Sequence, residues 1–161
     1  MPEITLLGWI HTATGIIALI VGLLVFFKDK VIQFSNVRGK IYLAATFVTA
    51  VTALFIFQFG HFNIAHGLAV LTLLALAAGF VCEKTRLFGN YSPYFQALSY
   101  SATYLFHMIP AITDGLRRLP IDNPVVKEIN DPLLQKFYLA FLVLFIIGAT
   151  LQIRWLKNKQ N

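Results

Sequence analysis

Five runs of about twenty mostly apolar residues, at 4–27, 39–59, 63–82, 92–113 and 133–155, constrain this chain more than any other feature. The hydrocarbon core of a bilayer is about 30 Å thick and takes about 20 such residues per helix. Backbone N–H and C=O groups find no water at that depth, so each run closes its own hydrogen bonds as an α-helix. The composition agrees: 58% of the 161 residues are hydrophobic and 12% charged, where soluble domains carry roughly 25% charged residues. The expected fold is therefore all-α, a polytopic transmembrane bundle of five helices. No Ser/Gly-rich or Pro-rich linker and no internal repeat divides the chain, which reads as a single domain over 1–161. The first run follows Glu3 and precedes Lys28 and Lys30, the reverse of a cleavable signal peptide, so it reads as a retained span.

Basic residues set the expected direction. With the N-terminus outside, the inner loops and tail hold Lys28, Lys30, Arg38, Lys40, Lys84, Arg86, Arg154, Lys157 and Lys159. The outer side holds Arg117, Arg118, Lys127 and Lys136. Nine against four favours N-out and C-in, and Trp9 and Trp155 then fall near opposite interfaces. Topology thus accounts for the net charge of +6 without a nucleic-acid partner; the partner implied is the lipid bilayer. The single cysteine, Cys82, excludes an intramolecular disulfide and reads as a small packing residue.

The fourth run is unusually polar for a membrane helix. Residues three, four or seven apart share a helix face, and Tyr100, Thr103, His107 and Asp114 follow that spacing, with Tyr104 beside them. Ser92, Gln96 and Ser99 extend the stripe inward, and Pro110 removes a backbone hydrogen bond just past the histidine. Such a stripe is costly against lipid and is expected to face the bundle or a watery cavity. On the first helix, His11, Gly15, Ala18 and Gly22 form a small face for close approach; Thr46, Thr49 and Ala53 do the same on the second.

Under this topology His11, His66 and His107 all lie in the outer half, roughly 5–10 Å from the outer helix ends at 1.5 Å per residue, and His61 sits in the surface turn. Neutral imidazole is a ligand for Zn, Cu or Fe, so the expected metal ligands are His11, His66, His107 and Asp114. A pocket for a small ligand is expected along Tyr100, Thr103, Tyr104 and His107. One b-type haem between two of the histidines is the rival use of the same residues. A second haem lacks ligands, since no histidine lies in the inner half and neither does Met1 or Met108. The bland alternative is a set of interhelical hydrogen bonds to Tyr and Thr, with Asp114 paired to Arg117 or Arg118. No His-Glu-x-x-His, Gly-x-Ser-x-Gly or phosphate-cradling Gly-rich motif is present, so enzymatic activity stays open. A non-catalytic accessory or scaffold subunit, in a homo-oligomer or larger membrane complex, is the competing class.

The segments HTATG in the first span (His11, Gly15) and VRGKIYLAATF opening the second (Arg38, Gly39, Lys40, Tyr42) resemble an uncharacterised family of small bacterial multi-helix membrane proteins. That resemblance covers about the first 50 residues and implies a bacterial inner-membrane setting.

Overall fold

The computed structural model describes residues 5–57 and 60–160. It is all-α, with helices α1 (Leu6–Lys28), α2 (Val37–Leu54), α3 (Ile64–Thr85), α4 (Ser92–Arg118) and α5 (Pro132–Gln160), and one 3₁₀ turn at Gly89–Tyr91. The start of the first expected span at residue 4, the end of the second at 59, and Met1 lie outside the described residues.

Local chemistry marks most helix starts. Thr5 Oγ1 accepts from Gly8 N at 3.1 Å, Asn36 Oδ1 from Arg38 N at 3.1 Å, Asn63 Oδ1 from Ala65 N at 2.9 Å, and Asp131 Oδ1 from Leu133 N at 2.8 Å. Each satisfies a first-turn N–H that has no partner within its helix. α4 instead begins with Pro93 in its first turn, where a missing N–H costs nothing. Pro110 does not end this helix, which continues to Arg118, five residues past the expected end. α2 is shorter than expected: Phe55 N and Ile56 N turn back to Thr52 O and Ala53 O at 3.1 and 3.2 Å, and the helix stops at Leu54.

Four helices, α1, α2, α3 and α5, are long and apolar enough to cross a membrane, as in a multi-pass membrane protein. α4 is long enough, but its polar face lowers its hydropathy, and the fold places it centrally. It packs against α3 and α5 and touches α1, while α1 packs mainly on α2. The buried residues of α4 are Ser92, Gln96, Ala97, Tyr100, Ser101, Thr103 and His107, so the stripe does face the bundle. Among helices, α5 packs chiefly on α4 and turns a broad apolar face outward, Leu139, Leu144, Ile146 and Leu151 included.

The core needs close backbone approach at two levels. Ala18 and Val25 of α1 meet Tyr42, Leu43 and Ala45 of α2 and Tyr100 of α4. A Cβ on Gly79 would collide with the Tyr100 ring, so glycine there lets α3 and α4 draw together.

The α1–α2 connection differs most from the basic surface loop that the sequence leads one to expect. Val31 and Ile32 are buried, at 3% and 0% exposure, and join the core clusters. Three helices hold the loop's backbone. Gln152 Nε2 of α5 donates to Lys30 O at 2.7 Å, Gln96 Nε2 of α4 to Ile32 O at 3.0 Å, and the Glu83 carboxylate of α3 accepts from Phe34 N at 2.9 and 3.0 Å and from Ser35 N at 3.3 Å. Arg38 grips Asp29 through two bonds of 2.6 and 2.8 Å, which holds the Asp29 carboxyl below the usual carboxylate range. The end of the bundle carrying this loop also carries the end of α5; the end where α1 begins is opposite.

Candidate functional site

Two histidines meet the same stretch of α2. His11 Nδ1 lies 3.0 Å from Thr49 O and 3.3 Å from Thr52 Oγ1. A backbone carbonyl only accepts, so Nδ1 carries the His11 proton. His107 Nε2 lies 3.1 Å from Thr46 Oγ1, three residues along α2. Thr49 Oγ1 in turn donates to Thr14 Oγ1 at 2.8 Å. α1, α2 and α4 are thus tied by a threonine–histidine seam at the level where the sequence places the histidines.

The rest of the α4 stripe is partnered helix by helix. The Tyr42 and Thr103 hydroxyls are 2.7 Å apart, and Thr103 Oγ1 also donates to Tyr100 O at 2.6 Å. Tyr104 Oη donates to Leu19 O of α1 at 3.3 Å. Tyr100 points toward the loop end, where its hydroxyl donates to Glu83 at 3.2 Å. Ser101 Oγ donates to Gln152 Oε1 at 2.8 Å. Of the expected ligand-pocket residues Tyr100, Thr103, Tyr104 and His107, each therefore joins α4 to other parts of the bundle: Tyr100 to α3, Tyr104 to α1, Thr103 and His107 to α2.

His66 stands apart from that seam. It lies in the first turn of α3, 1% exposed, with its ring against those of Phe57 and Phe62 at centroid distances of 4.7 and 4.8 Å. It closes a capping box with Asn63: Nδ1 is 3.2 Å from Asn63 N and 3.1 Å from Asn63 Oδ1. Its other nitrogen, Nε2, is buried with no hydrogen-bond partner among the described residues. Among the described residues the one other such side-chain atom is Nε of Arg117, at the same end of the bundle on α4. Asp114 is more than half exposed and lies 3.9 Å from Arg118, a loose i,i+4 ion pair. Among the described residues, no three His, Cys, Asp or Glu side chains gather into a group able to hold a metal ion. His11 and His107 come together on α2; His66 and Asp114 are held by other partners.

Sequence reasoning missed the loop anchors Glu83 and Gln152. Glu83 reads as the edge of a charged inner loop beside Lys84 and Arg86, and nothing in its spacing says that its partners are backbone N–H groups 48 and 49 residues earlier. For Gln152 a signal did exist: an amide inside the apolar run of α5 needs a partner in the bundle.

Compared with protein-family models, with curated protein sequences and with solved structures, the chain matches none.

Proposed function

We propose that this chain is a five-span protein of the bacterial cytoplasmic membrane, N-terminus outside and C-terminus inside, that binds a small ligand in the outer half of its bundle through His66. The carrying observation is the buried, unpartnered Nε2 of His66. A ring nitrogen removed from water without a partner costs about 1–3 kcal/mol, and such a group in a native fold calls for an explanation. When the Asn63 N–H points at Nδ1, the ring proton resides on Nε2, so the site offers a donor to a hydrogen-bond acceptor such as a carbonyl. The flanking Phe57 and Phe62 rings supply an apolar lining of the kind that small-ligand sites use.

A metal ion is the second reading, and a specific contact favours it. In the other tautomer Nδ1–H faces Asn63 Oδ1, 3.1 Å away, the outer-shell arrangement that orients a metal-binding imidazole and frees Nε2 to coordinate. His11, with Nδ1–H on a backbone carbonyl, has the same form. His107, by contrast, has Nε2 engaged with Thr46, which argues against it as an axial ligand of a b-type haem.

The test is mass spectrometry of organic extracts together with elemental analysis for Fe, Zn and Cu, on detergent-purified wild type, His66→Ala and His107→Ala. The expected result is one co-purifying molecule, or one metal near stoichiometry, lost in His66→Ala and retained in His107→Ala. Wild-type protein carrying neither, or a ligand indifferent to His66, would overturn the reading.

A further inference from the structure

At the loop end of the bundle, remote from His66, a cavity of about 250 Å³ opens between the α1–α2 loop and the facing ends of α3 and α4. Gln33, Ser35, Arg86, Ser92 and Gln96 line it together with Glu83. Glu83 is already engaged there, by two loop N–H groups and the Tyr100 hydroxyl.

Cations dominate the surroundings. Lys40 of α2 and Lys84 of α3 stand over the same ring, Phe34, with Nζ at 5.7 and 5.2 Å from its centroid. Phe34 neighbours the cavity residues Gln33 and Ser35 in the chain, as Lys84 neighbours Glu83. Among the described residues the ion pairs are Arg38–Asp29 and Arg118–Asp114, so Lys40, Lys84 and Arg86 have no carboxylate partner. Sequence alone scatters these three bases over two loops; folding puts Arg86 in the wall of the cavity and Lys40 and Lys84 over the ring of Phe34, whose chain neighbours Gln33 and Ser35 line it.

Apolar surface adjoins the same place. Phe80 packs edge-on to Phe34 at 5.6 Å and is 44% exposed. Phe88 and Phe95 stack at 4.6 Å beside Ser92 and are also exposed. A cavity with Arg86 in its wall, two lysines beside the adjoining Phe34 and a flanking set of exposed rings, with the Glu83 carboxylate already taken up by loop N–H groups and Tyr100, match a molecule that is anionic at one end and hydrocarbon at the other.

We propose that this cavity is a specific site for the headgroup of an anionic phospholipid, of the phosphatidylglycerol type. Arg86 meets the phosphate from the cavity wall, Lys84 and Lys40 reach it from beside Phe34, Gln33 and Ser35 offer hydrogen bonds to headgroup hydroxyls, and the phenylalanines lie along the acyl chains. The exposed rings are what assign the site to a lipid rather than to a water-borne phosphate.

The full-length chain in a neutral detergent provides the test. Native mass spectrometry would measure binding of phosphatidylglycerol against phosphatidylcholine for wild type, for Lys40→Gln/Lys84→Gln/Arg86→Gln, and for Arg154→Gln/Lys157→Gln, which removes bases from the same end but away from the cavity. Wild type and the second variant are expected to prefer phosphatidylglycerol by about tenfold, and the first variant to lose that preference. Thermal unfolding in phosphatidylcholine checks that all three proteins fold alike; the substituted side chains are outside the core. Equal binding of both lipids by wild type overturns the site, as does an equal loss of preference in both variants, which would mean diffuse surface charge. Displacement of the lipid by millimolar inorganic phosphate would overturn the lipid assignment.

Discussion

Gly39 shows how one missing side chain sets the shape of a whole connection. The carbonyl of Gln33 sits where a Cβ on Gly39 would be, so the loop folds back onto the first turn of α2 only because that position is bare. The obstacle is backbone, which yields less easily than a side chain. Gly39→Ala is therefore expected to destabilise the protein by about 1–3 kcal/mol, read as a lower thermal midpoint in detergent. Gly15→Ala provides the comparison: its Cβ would meet Thr49 Cγ2 at 3.5 Å, an ordinary contact, and the midpoint should hardly move. Both glycines belong to the sequence segments that stand out at first reading, yet only the structure separates the obligatory one from the tolerant one. The histidines behave alike in this respect. Their depth follows from counting residues along helices, whereas their partners, α2 threonines for two of them and Asn63 for the third, depend on packing that a linear pattern does not encode.

At the scale of elements, α4 was legible because a helix with period 3.6 displays its faces in the sequence, and a polar stripe in an apolar chain has one place to go. Its burial at Gln96, Tyr100, Thr103 and His107 follows that reasoning. The 29–36 loop was not legible, since short connections carry no period and its partners are backbone groups. Its anchoring makes a specific prediction. Gln152→Leu removes the donor to Lys30 O and the acceptor of the Ser101 hydroxyl, leaving the buried Ser101 hydroxyl unpaired at about 1–3 kcal/mol and the Lys30 carbonyl without its anchor. The loop should then open more readily, so that the Phe34 and Ser35 amides exchange hydrogen faster than in wild type, while amides in the middle of α2 change less. Unchanged exchange at Phe34 and Ser35 would show that Glu83 and Gln96 secure the loop without Gln152.

For the molecule as a whole, four helices apolar enough to span a membrane surround or flank a fifth that would be a poor span by itself. α4 hides its hydroxyls, amide and imidazole against its neighbours, so the bundle rather than the single helix is the unit that suits a membrane. In the proposed topology, nine bases against four put the loop end inside. In a bacterial host, a C-terminal green fluorescent protein fusion should accordingly fluoresce and a C-terminal alkaline phosphatase fusion should be inactive; the opposite pattern would invert the topology.

The anchoring of the first loop also has a consequence for the order of assembly. Lys30 O waits for Gln152, 122 residues later in the chain, and Leu156 completes the cluster around Val31. The earliest connection to leave the ribosome thus finds its last partner only when the final helix has been made and has docked. Until then Val31 and the Lys30 carbonyl stand open at one mouth of an unfinished bundle, and docking of α5 closes it. A chain truncated before α5 would leave that mouth, with its apolar Val31, exposed.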